Sequence, residues 1–232
     1  MKPPLHHPAI MKKQRIKRFL ATAALAACAL FPLTGSAATI YNATDEFSVA
    51  NGNPNGVWSY GWMTSGVTTF TAFSDHNATD GWYGGPEGDA WVWINTRGEE
   101  QYGVPEGWLS LSMDEGGAVP VLRWTAPQEV SGLVRVSGEF LAGDSASEDL
   151  MIFLGDAKTP ESTLWSGVNA GAFNLTVNVT PGETVNFAIQ GSYYFSNTPV
   201  SLTIETIPEP DVVSLFILSD VGLMALHFRR RA

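Results

Sequence analysis

Histidine is the side chain that most often moves a proton near neutral pH, and only His76 lies between Ala38 and Ile207. An imidazole zinc site has no second ligand there, and a Ser-His-Asp triad would rest on this one residue. His76 stands in Ser74-Asp75-His76-Asn77, a polar turn composition that reads as a solvated loop. Carboxylates are the abundant reagent. Glycoside hydrolysis needs two of them about 5–10 Å apart, and Asp114, Glu139, Glu148 and Asp149 stand on or near apolar runs. Glu139 reads as a solvent-facing strand residue when set against that role. Asp144, Glu148 and Asp149 carry the hard oxygens that calcium takes, as does Asp45-Glu46, beside turns rich in Gly and Asn. None of them follows EF-hand spacing, so solvated charge is the competing reading. No Gly-rich phosphate loop occurs, and calcium is the only cofactor for which ligands suggest themselves.

The remaining chemistry is aromatic. Trp91 and Trp93 are two residues apart, so in a strand both rings project from one face, and Trp58, Tyr60 and Trp62 do the same. Such rows either fill a sandwich core or form a platform on which sugar rings stack. Core filling is the expectation for both rows. Trp82-Tyr83 and Tyr193-Tyr194-Phe195 are flanked by Gly, Asn and Pro and read as loop residues. Loop aromatics are harder to bury, so Trp82, Tyr83, Tyr193 and Tyr194 are the expected glycan-contact residues.

The elements that must hold these groups are short strands. Residues 38–207 contain no helical periodicity of useful length, but many β-branched and aromatic runs cut by Gly, Pro, Asn and Asp. The runs are 57–62, 68–73, 90–95, 108–113, 119–125, 133–141, 150–154, 173–179, 184–189 and 200–206. Several alternate: Val134 and Val136 oppose Leu133 and Arg135, and Phe173, Leu175, Val177 and Val179 oppose Asn174, Thr176, Asn178 and Thr180. About ten strands without covering helices predict an all-β, two-sheet antiparallel sandwich, jelly-roll-like in outline.

Both ends read as targeting segments. Met11-Lys12-Lys13-Gln14-Arg15-Ile16-Lys17-Arg18 is a positive leader, so translation is expected to start at Met11. An apolar stretch runs from Phe19 to Leu33, and small residues follow at Gly35-Ser36-Ala37. Cleavage after Ala37 or Ala38 would make 1–37 a signal peptide. Leu25-Ala26-Ala27-Cys28 also fits a lipoprotein pattern with Cys28 acylated. The apolar run continues past it through Leu30, Phe31 and Leu33, which favours ordinary cleavage. Cys28 is the only cysteine, so a chain cut after it has no disulfide and no thiolate. At the other end, Pro208-Glu209-Pro210 breaks any helix or central strand. The 17 residues of 212–228 would span about 25 Å as a helix, with Asp220 inside the run. Arg229, Arg230 and Arg231 would stay cytoplasmic, which puts residues 38–207 on the far side of the membrane.

Charge follows the same division. Residues 38–207 hold 20 acidic side chains against Arg97, Arg123, Arg135 and Lys158, a balance of −16 that the whole-chain −10 conceals. A surface so acidic repels phosphate backbones and acidic polymers, so nucleic acid is excluded as a partner and a neutral polysaccharide is favoured.

The proline–glutamate–proline break, apolar run and terminal arginine cluster together resemble the PEP-CTERM sorting tail of exported bacterial proteins. The resemblance implies a Gram-negative, exopolysaccharide-producing source and an exosortase-like transpeptidase as processing partner, with Pro208, Glu209 and Pro210 near the cut. It also implies an inner-membrane precursor and a mature protein at the cell surface or in the extracellular matrix. Asp211 departs from the small residue usual there. A second resemblance covers residues 53–204. Asn53-Pro54-Asn55-Gly56 with Trp58, Tyr60 and Gly61, Arg123-Trp124-Thr125-Ala126-Pro127, and Gly182-Glu183-Thr184-Val185-Asn186-Phe187 are similar to a β-sandwich domain of exported bacterial surface proteins. That domain has a shape like carbohydrate-binding modules. A His-Pro-Gly expected ahead of the Arg-Trp motif is replaced by Met113-Asp114-Glu115-Gly116. Three segments follow: a leader at 1–37, an ectodomain at 38–207 and a sorting tail at 208–232. The expected role is non-enzymatic, with a two-carboxylate hydrolase or a passive adhesive protein as alternatives.

Overall fold

The computed structural model describes residues 37–144 and 148–208. Met11, Cys28, Glu209, Pro210, the apolar run 212–228 and Arg229–Arg231 lie outside the described residues. Ala37, Ala38 and Pro208 lie at their edges and are exposed. Residues Ala38–Ile207 form one compact unit.

Fourteen strands and no helix make up the described part. In chain order they are β1 Ile40–Asn42, β2 Trp58–Met63, β3 Phe70–Ala72, β4 Asp75–His76, β5 Gly81–Gly84, β6 Ala90–Ile94, β7 Leu109–Ser112, β8 Val119–Thr125, β9 Gly132–Phe140, β10 Asp149–Leu154, β11 Thr163–Val168, β12 Gly171–Val179, β13 Thr184–Gln190 and β14 Thr198–Thr206. One eight-stranded sheet runs β12-β9-β14-β7-β6-β5-β4, with β1 beside β14; the second runs β11-β10-β13-β8-β2-β3. All pairings between these strands are antiparallel. From β7 onward the chain crosses repeatedly between the sheets, so the second sheet is completed only by β13 and the first only by β14. The expected all-β, two-sheet sandwich is the observed architecture.

The two sheets bury different amounts of their strands. In β9 and β12 the alternation holds: Val134, Val136, Val177 and Val179 are buried, while Leu133 and Arg135 face water. The core between the sheets is dense in rings, with Trp58, Tyr60, Trp124, Phe140 and Phe187 all essentially sealed from solvent. In the second sheet, Val119, Val121, Met151, Phe153 and Ala188 form a further apolar cluster with Met63 and Val67 on the opposite side of the strands from that core. Two hydrogen bonds tie the segment after β2 over this cluster: Lys158 N–H donates to Val67 O at 2.9 Å, and Gln190 Nε2 donates to Ser65 O at 3.0 Å. Burial on both faces explains why β8, β10 and β13 read as continuous apolar runs and not as alternations.

Of the aromatic rows, Trp58 and Tyr60 enter the core as expected, with Trp62 half-buried. Trp82 contradicts its expectation. It lies on β5, not in a loop, only 4% exposed, and its indole N–H donates to Ser48 O at 3.0 Å. It stacks on Tyr60 with ring centroids 6.3 Å apart. The flanking glycines signalled a loop, yet they make room for neighbouring rings. A Cβ on Gly84 would sit 2.9 Å from Phe73 Cδ1, and one on Gly81 would sit 2.9 Å from Trp91 Cε3.

A candidate glycan groove on the outer face of the larger sheet

Strand parity determines which residues leave the core. On β6, Ala90 and Val92 are sealed inside, so Trp91 and Trp93 project from the other face and remain half-buried. The core expectation for this pair is therefore corrected. Register extends their rows sideways: Tyr83 opposes Trp91 from β5, and Ser112 opposes it from β7. Gly81 opposes Trp93, and the absent side chain leaves space for both indoles.

A groove of about 500 Å³ lies over these rows. Trp91 and Trp93 form its floor, and Asn77, Gln101, Tyr102, Tyr193 and Asn197 stand around them. Each wall has an identifiable anchor. Asn77 Oδ1 accepts from the Asp80 and Gly81 amides at 2.8 and 2.9 Å, which holds the turn between β4 and β5. Asn77 also donates to Asp80 Oδ1, while Arg97 donates to Asp80 Oδ2 at 3.1 Å. Both Asp80 oxygens are thus engaged and its charge is paired. The fully buried Asn95 organises the 95–107 loop, donating to Glu99 O and Val104 O, both at 2.8 Å, and accepting from Arg97 N–H at 3.0 Å.

That loop ends in a tight reversal. Gln101 and Val104 exchange main-chain hydrogen bonds of 3.1 and 2.8 Å around Tyr102 (φ 53°) and Gly103 (φ 72°). Positive φ at both central positions is the type I′ arrangement, which favours Asn-Gly. A tyrosine there carries backbone strain, and the turn holds its ring 67% exposed at the groove rim. On the opposite wall, Tyr193 stands near Asp89, whose carboxylate raises its phenol pKa. Tyr194 and Phe195 project beyond it at 67% and 71% exposure.

Asn197 fixes the indole edge of Trp93. Its Oδ1 accepts the Trp93 Nε1–H at 3.1 Å, and its Nδ2 donates to Asp144 Oδ2 at 2.9 Å. Trp91 is held differently, its ring stacked on Tyr83 with centroids 4.5 Å apart and planes 27° from parallel. The floor is thus two oriented aromatic faces, bordered by amides and hydroxyls. Such a surface offers CH–π stacking to a sugar ring and hydrogen bonds to its hydroxyls.

The sequence-derived site residues fall as follows. Tyr193 lines the groove, Tyr83 flanks its floor and Tyr194 lies on the loop beyond; Trp82 is core. Trp91, Trp93, Tyr102 and Asn197 were not among the expected contacts. His76 sits exposed on β4, its ring edge-on to Trp82 at 4.9 Å. Of the acids weighed for hydrolysis, Glu139 is exposed on β9 and Asp149 on β10. Asp114 is buried and accepts main-chain N–H groups of Glu87 and Gly116 at 3.1 and 2.5 Å, a structural clamp. Glu148 is buried beside Asp144. Burial pushes its carboxyl up to about 7, opposed by the Ser192 main-chain N–H and reinforced by Asp144 and Asp149. No group of three or more His, Cys, Asp or Glu side chains suited to a metal ion occurs among the described residues.

No protein-family model and no curated protein matches this chain. Among solved structures it is similar to a family 35 carbohydrate-binding module of Clostridium thermocellum, at 11% identity over 73% of this chain and 98% of the other, with a TM-score of 0.33. A low-affinity xylan-binding module, CBM86, of Roseburia intestinalis gives 14% identity, 75% and 97% coverage and a TM-score of 0.34. The K3 cleaved adhesin domain of Lys-gingipain from Porphyromonas gingivalis gives 14%, 73% and 99%, with 0.31. At these scores the likeness carries no argument about ligand, and the fold assignment rests on the strand pairing itself.

Proposed function

We propose that this chain is an exported, non-enzymatic surface protein whose jelly-roll-like sandwich binds a neutral polysaccharide in the groove over Trp91 and Trp93. One observation carries the reading. Two large indoles lie on the water-facing side of a sheet whose other side is a complete core, and each is held in orientation, by Asn197 and by Tyr83. Apolar rings left half-exposed and pinned in place are a binding surface, since nothing in the packing of the core needs them there. Charge narrows the ligand. Arg97 is spent on Asp80, and Asp89 keeps the groove acidic, so an anionic glycan meets repulsion and a neutral one does not. The non-enzymatic part is supported by the engagement of the groove acids: Asp80 is paired with Arg97, and Asp89 accepts the Glu115 main-chain N–H at 3.1 Å.

A glycan array probed with residues 38–207 tests this directly. Retention of neutral polysaccharides, lost on Trp93→Ala, is the expected result. Reducing-end release from the retained glycans would instead identify a hydrolase.

Delivery to the surface is the second half of the proposal. The tail 208–232 holds a precursor in the inner membrane until an exosortase-like enzyme cuts near Pro208-Glu209-Pro210. The order of proline break, apolar run and arginines supports this, and a run interrupted by Asp220 is a poor permanent anchor. Intact-mass measurement of the surface-exposed protein should show a species lacking Arg229–Arg231. A species that retains them means a plain anchor.

A further inference from the structure

The larger sheet ends in a strand whose outer edge pairs with nothing among the described residues. β12 is terminal in that sheet and lies in unbroken register with β9 along all nine of its residues. The other terminal strands are guarded. β4 is two residues long and carries Asp75 and His76, β3 has three residues, and β11 runs beside a register shift at Ile152/Phe153. Shortness, charge and bulges are the devices that stop one sheet edge from pairing with another. β12 has none of them: Gly171–Val179 reads GAFNLTVNV, without a charged residue or a proline. In a unit with a balance of −16, such a stretch is where two copies meet the least repulsion.

The sequence of β12 also complements itself. Phe173 and Val177 are buried, Leu175 between them is half-buried, and Ala172, Asn174, Thr176 and Asn178 face water. Antiparallel pairing of β12 with its own copy keeps this division only when residues of like parity oppose one another. A slip of one residue would set every apolar side chain against a polar one. Among the permitted registers, the one centred on Leu175 pairs all nine residues, whereas centring on Asn174 or Thr176 pairs only 171–177 or 173–179, seven each. Centred on Leu175, Phe173 meets Val177 of the second copy, Asn174 meets Thr176, and Leu175 meets Leu175. Apolar rows then continue across the join, and amide and hydroxyl groups face each other on the outer side.

We infer that β12 is a self-association edge: two copies of this chain join by antiparallel pairing of Gly171–Val179 about a twofold axis at Leu175, making one continuous sheet from two. A second copy is favoured over a foreign strand because the complementarity is already present within the one sequence, and a twofold axis uses each group twice. Main-chain hydrogen bonds supply the register-dependent part of the affinity, and covering Leu175 supplies the apolar part. The join is smaller than a standard protein interface, so the dimer is reversible and depends on concentration. β9, β14 and β7 separate β12 from β6, so pairing leaves Trp91 and Trp93 uncovered. The dimer presents two such rows, whether or not they bind a sugar.

The compact unit Ala38–Ile207 has no cysteine, so an introduced thiol reports the axis. In the centred register residue 175 faces itself, within the Cα separation of about 4.4–6.8 Å that a disulfide spans. Leu175→Cys should therefore form a covalent dimer under mild oxidation. Asn174→Cys and Thr176→Cys should not do so alone, but an equal mixture of the two should. Sedimentation equilibrium of the unsubstituted unit should show a dimer that grows with concentration. Asn174→Asp combined with Thr176→Asp sets carboxylates opposite one another at exposed positions. It should raise the dissociation constant about tenfold or more, with the β-sheet circular dichroism retained. A unit that stays monomeric at about 1 mM overturns the inference. So does a dimer indifferent to the double substitution, or self-crosslinking of Asn174→Cys or Thr176→Cys in place of Leu175→Cys. Should Leu175→Cys fail to fold, the mixed pair at the two exposed positions carries the crosslinking test. No glycan enters these measurements, so their failure leaves the groove reading standing, and a failed glycan array leaves this one standing.

Discussion

Two tryptophans separated by eleven positions in the chain have opposite fates. Trp82 fills the core between the sheets, whereas Trp93 lies in the floor of the groove with its indole nitrogen tied down. Trp82→Ala should therefore destabilise the unit by about 3–5 kcal/mol, as Trp124→Ala should, in equilibrium denaturation. Trp93→Ala should leave the unfolding midpoint nearly in place. Equal losses for Trp82 and Trp93 would mean that the outer row is part of the core. Glu148 supplies a second residue-scale expectation. Burial raises its folded carboxyl to about 7, against 4.5 when exposed; Asp144 and Asp149 add to the shift and the Ser192 N–H opposes it. Between those values the unfolded chain has ionised while the folded chain still holds its proton. This group's contribution is therefore most favourable at acid pH and declines as pH rises, by on the order of 3 kcal/mol once both states are ionised. Glu148→Gln removes the decline, so urea midpoints of the variant should exceed wild type above neutrality and converge with it at low pH. A wild-type pH profile retained by the variant would contradict the assignment.

At the scale of elements, β9 and β12 were legible because one face of each is wet, and hydrophobic alternation then marks the strand and its orientation together. Strands β8, β10 and β13 were legible as runs, but their two-sided burial erased any sign of which residue faces which cluster. β5 was missed because Gly81 and Gly84 look like loop punctuation when read locally. Their reason is non-local: one clears Trp91 and Trp93, the other Phe73. The same limit applies to the groove. A spacing of two places Trp91 and Trp93 on one face, but the side of the sheet is decided by register with Gly81 and by a hydrogen bond to Asn197 across 104 positions. Gly81→Ala isolates this element-scale role. The new methyl would stand 2.9 Å from Trp93 Cβ, so the indoles must shift. The domain is expected to fold with a modest loss of stability, while affinity for the bound glycan falls further than the melting temperature suggests. An unchanged affinity would show that the indole positions do not matter.

For the whole molecule, the division of charge and of apolar surface matches a division of labour. The unit Ala38–Ile207 carries its own core, an acidic surface and a groove on one broad face, while the basic and long apolar segments of the sequence lie in 1–37 and 208–232. On the proposed reading, a sandwich built this way would offer one sheet face to a polymer. The most direct measurement is a calorimetric titration of Ala38–Ile207 and its Trp93→Ala variant with the neutral polysaccharide retained on the array, alongside their melting curves. Saturable binding by the wild type should weaken by about tenfold or more in the variant, roughly 1.4 kcal/mol, at a closely similar melting temperature. Equal affinity in the two proteins, or no saturable binding by the wild type to any neutral glycan, would contradict a sugar-binding groove over Trp91 and Trp93.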